Sequence, residues 1–268
     1  MLDTGFHQAA GLQSLTPQTE LRVLAVASQE QAGSGLETLW QICASLQRMG
    51  YPVVVLDATG YETDESPGLY HLLRRAPWHD GMDQGAAASS LAVIPAARGL
   101  WQISRADRPA HVSPLQDIQP YVRAYSILVL HAPPPLLGQL LTHTRTMPLM
   151  VMEGAAAGVL TTYKSLKQMA QHTGLSCTVA ALLRGSGTAE RRKTLAALQT
   201  LQDCAERHLG GQVHTTAVST QNPQDLQRLA LQLLENAGTI NGTMAAAAAI
   251  ASSNFAGIPA AAHLLRSH

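Results

Sequence analysis

The sequence predicts an α/β protein built on a doubly wound, mostly parallel sheet with helices on both faces. Short apolar runs alternate with segments whose apolar residues recur every three or four positions, the spacing of an amphipathic helix. The runs are continuously apolar rather than alternating, which is typical of strands buried on both faces of a parallel sheet. Because the pattern repeats to about residue 236, it favours one such domain over two.

Seven apolar runs predict the strands, and the segments between them predict the helices. Residues 38–49 show the helical pattern, with four apolar side chains on one face: Leu39, Ile42, Leu46 and Met49. The last such helix is predicted over residues 223–236. The predicted strands are residues 21–28, 52–57, 91–95, 126–131, 148–153, 177–183 and 213–218.

The two ends of the chain depart from this pattern and divide it into three parts. Residues 1–20 contain a short helical candidate over 5–15, followed by a polar spacer. Residues 21–237 form the predicted α/β domain. Residues 238–268 are rich in Ala, Ser and Gly, so we expect a loosely ordered tail.

Composition and charge argue against several kinds of partner. The 18 basic and 18 acidic residues cancel and form no dense basic cluster, so nucleic acid is not expected. Three cysteines without a CxxC spacing indicate reduced thiols in a cytoplasmic protein, and no signal peptide is expected. Residues 243–262 are too weakly apolar to span a bilayer, and Arg266 is the only Lys or Arg of the tail. Membrane association is therefore not expected either.

Several motifs within residues 21–236 resemble the MinD/ParA family of P-loop ATPases. Residues 33–38, GSGLET, stand where that family has G-x-G-K-T-T, and residues 57–59, DAT, stand where it has D-A-D. Residues 93–100, VIPAARGL, resemble the family's I-P-A-x-x-G-L stretch, and residues 127–133, ILVLHAP, resemble its magnesium-side strand. The resemblance implies a P-loop NTPase-like fold, an ATP-Mg site and dimers that close around ATP.

The N-terminus resembles one branch of this family. Residues 7–13, HQAAGLQ, are similar to the D-Q-A-x-x-L-R motif that opens FlhG-type regulators of flagellar number. On a helix, Gln8, Leu12 and Leu15 share one face and can dock together. In FlhG-type proteins this helix activates the partner GTPase FlhF. The resemblance implies that Gln8 helps to order the partner's catalytic water and that Leu12 anchors the helix.

The nucleotide loop departs from the family at its charged positions. Leu36 takes the place of the P-loop lysine, and Glu37 takes the place of the hydroxyl that binds magnesium. Glu30 and Gln31 stand near the position of the family's signature lysine. His131 stands where the family has an aspartate at the end of the fourth strand.

The resemblance therefore implies a degenerate nucleotide site. Each lost charge-assisted hydrogen bond removes roughly 1.5–3 kcal/mol, so about three losses weaken a micromolar site beyond millimolar. We expect neither tight binding nor hydrolysis of ATP-Mg, and we expect Glu37 to cap its own helix. Of the family's charged groups, Asp57 alone remains. The residues of the degenerate site are Gly33, Gly35, Leu36, Glu37, Thr38 and Asp57.

The sequence supports no other catalytic or metal site. Gly185-Ser186-Gly187 lacks the spacing of a nucleophile elbow, and Cys177 is expected to be a small core residue. Asp57 is expected to cap a helix after its strand. His131 is expected to be a loop histidine, because no second His or Cys stands at metal-ligand spacing.

These observations favour an FlhG-like pseudo-ATPase that regulates flagellar number or placement. It would be cytoplasmic, would act at the cell pole, and would present residues 5–15 to an FlhF-like GTPase. One alternative is an active, divergent MinD/ParA-type ATPase that uses Glu30, Asp57 and the loop backbone. Another is a related pseudo-ATPase of a pilus or cellulose-secretion machine. Without closure around ATP, we expect a monomer or a dimer that does not respond to nucleotide.

Overall fold

The computed structural model describes residues 20–29, 33–74, 91–109, 111–153, 156–183, 187–210 and 213–241. These ranges contain most of the predicted α/β domain. Several residues of the sequence predictions lie outside the described residues: Gln8, Leu12, Leu15, Glu30, Gln31, Gly185, Ser186 and the tail beyond 241.

Strands and helices alternate along the described chain, and each of the seven apolar runs forms a strand. The strands are β1 Glu20–Ala27, β2 Val53–Asp57, β3 Leu91–Pro95, β4 Ile127–Ala132, β5 Leu149–Glu153, β6 Cys177–Leu183, β7 Val213–Ser219 and β8 Gly238–Asn241. The α-helices are α1 Gly33–Arg48, α2 Leu69–Arg74, α3 Ala97–Arg105, α4 Pro134–Leu140, α5 Ala156–Thr173, α6 Thr188–Leu209 and α7 Pro223–Glu235. A 3₁₀-helix spans Pro114–Tyr121.

All described strands belong to one sheet, in the order β3-β2-β4-β1-β5-β6-β7, and each pairing along this path is parallel. β8 pairs antiparallel with the first half of β1, with Ile240 opposite Leu21. β8 differs from the prediction, which assigned residues from 238 onward to the tail. Its four residues contain one large apolar side chain and therefore carry no periodic signal. The doubly wound, mostly parallel sheet is confirmed.

Helices cover both faces of the sheet, as a doubly wound fold requires. α1 and α7 pack on one face, where Leu39 and Leu46 of α1 share a buried cluster with Leu229 of α7. The other helices pack on the opposite face. Successive residues of a strand point to opposite faces of the sheet, and each face has its own buried cluster. In β4, for example, Val129 belongs to the cluster beneath α1, and Leu128 belongs to the cluster beneath the helices of the opposite face. No helix in the described part of the chain is long and apolar enough to cross a bilayer.

A buried glutamate in the loop after β2 joins α2 to α3. Glu62 is 2% exposed, and its carboxylate accepts three backbone N–H bonds. Oε1 accepts from Tyr70 of α2 at 3.1 Å and from Gly99 of α3 at 3.0 Å, and Oε2 accepts from Arg98 at 2.6 Å. These donors lie in the first turns of their helices, where N–H groups lack partners within the helix. The carboxylate charge also interacts favourably with both helix dipoles.

Glu62 supplies a cap that the residues next to α3 cannot supply. Ala96 is the N-cap residue of α3, and its side chain has no hydrogen-bond acceptor. The two helices are also close enough to require a glycine, because a Cβ on Gly99 would lie 2.7 Å from Leu69 Cγ. The glutamate and the glycine together hold α2 and α3 as one unit beside β3.

We expect Glu62→Ala to lower the free energy of unfolding by about 3 kcal/mol or more, because three N–H groups lose their acceptor. Glu62→Gln should have an intermediate effect, since the amide keeps one acceptor oxygen and replaces the other with a donor. Urea denaturation, monitored by circular dichroism, measures the free energy of unfolding of both variants and of wild type. Glu65→Ala, at an exposed position of the same loop, is the control and should change the value by less than about 0.5 kcal/mol. Equal losses for Glu62→Ala and Glu65→Ala would contradict this role of Glu62.

Candidate functional site

Asp57 and His131 lie opposite each other at the carboxyl edge of the sheet. Asp57 is the last residue of β2, His131 is the second-last residue of β4, and the parallel register pairs them. Paired residues of adjacent strands point to the same face. This face is the one that α1 covers, because Val55 and Val129, two residues earlier in each strand, belong to the cluster beneath α1.

The two side chains form a close polar pair. His131 Nδ1 lies 2.9 Å from Asp57 Oδ1. Thr59 donates to the same oxygen from its backbone N–H at 2.9 Å and from its hydroxyl at 2.7 Å. An ionised carboxylate only accepts hydrogen bonds, so the contact requires a proton on His131 Nδ1. The His131 and Asp57 side chains are 7% and 22% exposed, so the pair is largely shielded from water.

Two opposing influences act on the pKa of Asp57. Burial raises the pKa of this carboxyl, and hydrogen bonds from His131 and Thr59 lower it. The hydrogen bonds outweigh burial, and the pKa lies below its ordinary value. Asp57 is therefore a carboxylate at neutral pH, and its Oδ1 is already occupied by donors of the protein itself.

The beginning of α1 offers no cation to a phosphate. The helix starts at Gly33, and Gly35 and Thr38 are buried. Leu36 is 40% exposed, and Glu37 is exposed as well. Among the described side chains at the start of α1, the exposed ones are therefore the aliphatic Leu36 and the acidic Glu37.

These residues do not fit the ATP-Mg that the MinD/ParA resemblance implies. A P-loop uses a lysine for the phosphates and oxygen ligands for magnesium. Leu36 has no charge to offer, and the carboxylate of Glu37 would repel a phosphate. Asp57 is the acidic residue that the sequence keeps from the family's motifs. Its Oδ1 accepts a hydrogen bond from the Thr59 N–H and lies 2.9 Å from His131 Nδ1. Among the described residues, no group of three or more His, Cys, Asp or Glu is placed to hold a metal ion.

Three expectations about single residues are wrong. Glu37 is the fifth residue of α1, so it lies beyond the first turn and does not cap the helix. Asp57 caps a turn rather than a helix, since it accepts from Thr59 two residues later and the next helix begins at Leu69. His131 lies within β4 and is 6% exposed, so it is not a loop histidine.

Cys177 is confirmed as a core residue. It is 1% exposed at the start of β6, and burial raises the pKa of its thiol to about 12. Such a thiol stays protonated at neutral pH and is a poor nucleophile.

The pairing of Asp57 with His131 and the contacts of Glu62 were not predicted from the sequence. Asp57 and His131 each end an apolar run, but the runs become neighbours only when the strand order is known. Glu62 accepts hydrogen bonds from the backbone N–H groups of Arg98 and Gly99, which are 36 and 37 positions away in the sequence. A local motif cannot show a contact at that separation.

Comparison with known proteins identifies the fold. No protein-family model matches the sequence, and no curated protein sequence matches it. Cobyrinic acid a,c-diamide synthase from Mycobacterium smegmatis with bound ADP and magnesium aligns with a TM-score of 0.53 at 17% identity, over 80% of this chain and 94% of that chain. The same synthase with a bound ATP analogue and magnesium aligns with a TM-score of 0.51 at 20% identity, over the same shares of both chains.

A ParA family ATPase from Chlorobium tepidum TLS aligns less well, with a TM-score of 0.44 at 13% identity over 80% of this chain and 92% of that chain. The assignment of the fold therefore rests on the synthase structures and on the strand order. They confirm the predicted P-loop NTPase-like α/β fold with its mostly parallel sheet, and at these identities they show the fold alone.

Asp57→Asn should lower the free energy of unfolding by about 1 kcal/mol near neutral pH, because it removes the charge from the hydrogen bonds at Oδ1. The folded-state pKa of Asp57 is lowered, so its contribution is present above the unfolded-state pKa of about 3.9 and is lost as the pH falls through the lower folded-state pKa. The difference between wild type and variant should therefore shrink as the pH falls from about 5 to 3. Urea denaturation at a series of pH values measures it.

The matched control for this experiment is Asp107→Asn, at an exposed aspartate after α3. Near neutral pH it should change the free energy of unfolding by less than about 0.5 kcal/mol. A difference for Asp57→Asn that stays constant or grows as the pH falls would show that the carboxylate is not stabilised in the folded state.

Proposed function

We propose that this protein is a MinD/ParA-like regulator of the FlhG type that works without ATP. It binds an FlhF-like GTPase through its N-terminal helix and thereby regulates flagellar number or placement. Its α/β domain serves as a scaffold that presents this helix. It acts in the cytoplasm as a monomer or as a dimer that does not respond to nucleotide.

The contact between Asp57 and His131 is the observation that carries the nucleotide-independent part of this proposal. In the family that the sequence resembles, this edge of the sheet faces the nucleotide and its magnesium. Here the acidic side chain accepts a hydrogen bond from the histidine of the neighbouring strand at 2.9 Å. Leu36 and Glu37 at the start of α1 leave the site without a cation for the phosphates.

The position of β1 supports a separate role for the N-terminal segment. β1 begins at Glu20, at the amino edge of the sheet, where β8 pairs with it. β1 rises by about 3.3 Å per residue, so its start lies about 23 Å from its carboxyl end. A helix that is joined to the domain at Glu20 can therefore dock on a partner without using the carboxyl edge. The residues that support an FlhF-like partner are Gln8, Leu12 and Leu15.

Calorimetric titration with Mg-ATP should show no binding up to about 1 mM, because roughly three charge-assisted contacts are missing. The double variant Leu36→Lys/Glu37→Thr restores the lysine and the hydroxyl and should bind at least about tenfold more tightly than wild type. Leu231→Lys, at an exposed leucine of α7, adds a lysine elsewhere and should give no gain.

Micromolar binding of Mg-ATP by the wild-type chain would refute the proposal that it works without ATP. So would a doubling of molar mass in light scattering when ATP is added. Either result would favour the active, divergent ATPase instead.

The full chain, and a peptide of residues 1–20, should raise the rate of GTP hydrolysis by an FlhF-like GTPase. Gln8→Ala should abolish the increase, because it removes the side chain that orders the attacking water. Leu12→Ala should weaken binding of the helix instead, so that more protein is needed for the same rate. Release of phosphate, measured against protein concentration, separates the two effects.

Ser14→Ala is the control for the Gln8 experiment, since residue 14 lies outside the 7–13 motif and away from the face shared by Gln8, Leu12 and Leu15 on a helix. This variant should activate the GTPase as wild type does. A wild-type chain and peptide that both leave the rate unchanged would exclude the FlhF-like partner.

A further inference from the structure

Three arginines and two aromatic rings form a surface patch across α2 and α3. The arginine–aromatic patch consists of Tyr70, Arg74, Arg98, Trp101 and Arg105. The guanidinium carbons of Arg98 and Arg74 lie 4.0 Å and 5.5 Å from the centroid of the Tyr70 ring. The guanidinium carbon of Arg105 lies 4.9 Å from the centroid of the Trp101 ring. All three arginines are exposed.

The backbone beneath the patch is fixed from the interior. Arg98, Trp101 and Arg105 lie at positions i, i+3 and i+7 of α3, so they share one face and span about 10.5 Å along it. Glu62 accepts hydrogen bonds from the backbone N–H groups of Tyr70 and Arg98, the two residues whose side chains stack. The patch is therefore organised before any partner arrives, which reduces the entropy lost on binding.

The positive charges of the patch have no acidic partner in the described ranges. Arg74 donates to the Tyr70 hydroxyl at 3.1 Å, which leaves its charge unmatched. Asp64 and Glu65 precede α2, and Asp64 contacts His71 at 3.3 Å rather than an arginine. The other two ion pairs between described residues also lie outside the patch: Arg108 with Asp117 and His131 with Asp57.

We propose that the arginine–aromatic patch is a docking surface for a carboxylate-rich segment of another protein. A guanidinium that stacks on a ring keeps its plane fixed, and its N–H edge can donate two parallel hydrogen bonds to a carboxylate. Arg98 on Tyr70 and Arg105 on Trp101 are two such groups. Arg74 adds a third positive charge over the Tyr70 ring, 5.5 Å from its centroid.

The distribution of charge favours an acidic protein segment over nucleic acid. Binding to a phosphate backbone draws on many basic residues that follow the backbone over a long distance. The three arginines are confined to two short helices, and the chain as a whole has 18 basic and 18 acidic residues. Such a chain has no net positive charge to attract a long nucleic acid from a distance.

Fluorescence anisotropy with a labelled oligoglutamate peptide and the full chain tests the proposal at low ionic strength. The variant Arg74→Gln/Arg98→Gln/Arg105→Gln should bind the peptide at least about tenfold more weakly than wild type. The matched control, Arg191→Gln/Arg192→Gln/Lys193→Gln, removes the same charge from exposed residues of α6 and should bind as wild type does. Arg98→Lys keeps the charge but loses the planar group, and it should weaken binding about threefold or more.

Three results would overturn the proposal. The first is no binding of oligoglutamate by wild type. The second is an equal loss of oligoglutamate affinity in the triple Arg→Gln variant of the patch and in the control variant of residues 191–193. The third is tighter binding of a short DNA duplex than of oligoglutamate, together with loss of duplex binding in Arg74→Gln/Arg98→Gln/Arg105→Gln. The patch would then recognise nucleic acid. Wild-type affinity for Arg98→Lys would show that charge alone suffices and would refute the role of stacking. Circular dichroism establishes that each variant is folded.

Discussion

The parallel pairing of β2 with β4 is the constraint on which the candidate site depends. Its register sets Asp57 opposite His131, with 2.9 Å between carboxylate and imidazole. The MinD/ParA resemblance implies an aspartate in place of this histidine. Two carboxylates side by side offer acceptors alone, and a cation can satisfy both. A histidine that donates from Nδ1 occupies Oδ1 of this carboxylate without a cation.

The loop after β2 holds a second carboxylate, Glu62, that also accepts hydrogen bonds from protein groups. Helix N-termini often bind anions from solution, because their N–H groups lack partners and the helix dipole favours negative charge. In this protein the carboxylate of Glu62 fills that role for α2 and α3 at once. Oδ1 of Asp57 and both carboxylate oxygens of Glu62 therefore accept hydrogen bonds from protein groups. The loop that connects them is tied to β4 at one end and to two helices at the other.

The sheet could be predicted because each strand that is buried on both faces leaves an apolar run in the sequence. β8 could not, since Ile240 is its only large apolar side chain and its partner β1 is distant in the chain. The start of α1 was also missed. It begins at Gly33, five residues before the predicted helix, and this is why Glu37 lies outside the first turn. The contact of Asp57 with His131 spans 74 positions, so it depends on strand order rather than on any local pattern.

The two proposed recognition sites are attached to different parts of the sheet. The N-terminal segment joins the domain at Glu20, at the amino edge of the central strand β1. The arginine–aromatic patch lies on α2 and α3, and α3 follows the outer strand β3 in the chain. Three strand spacings separate β1 from β3, or about 14 Å across the sheet. The two proposed contacts therefore use different elements of the fold.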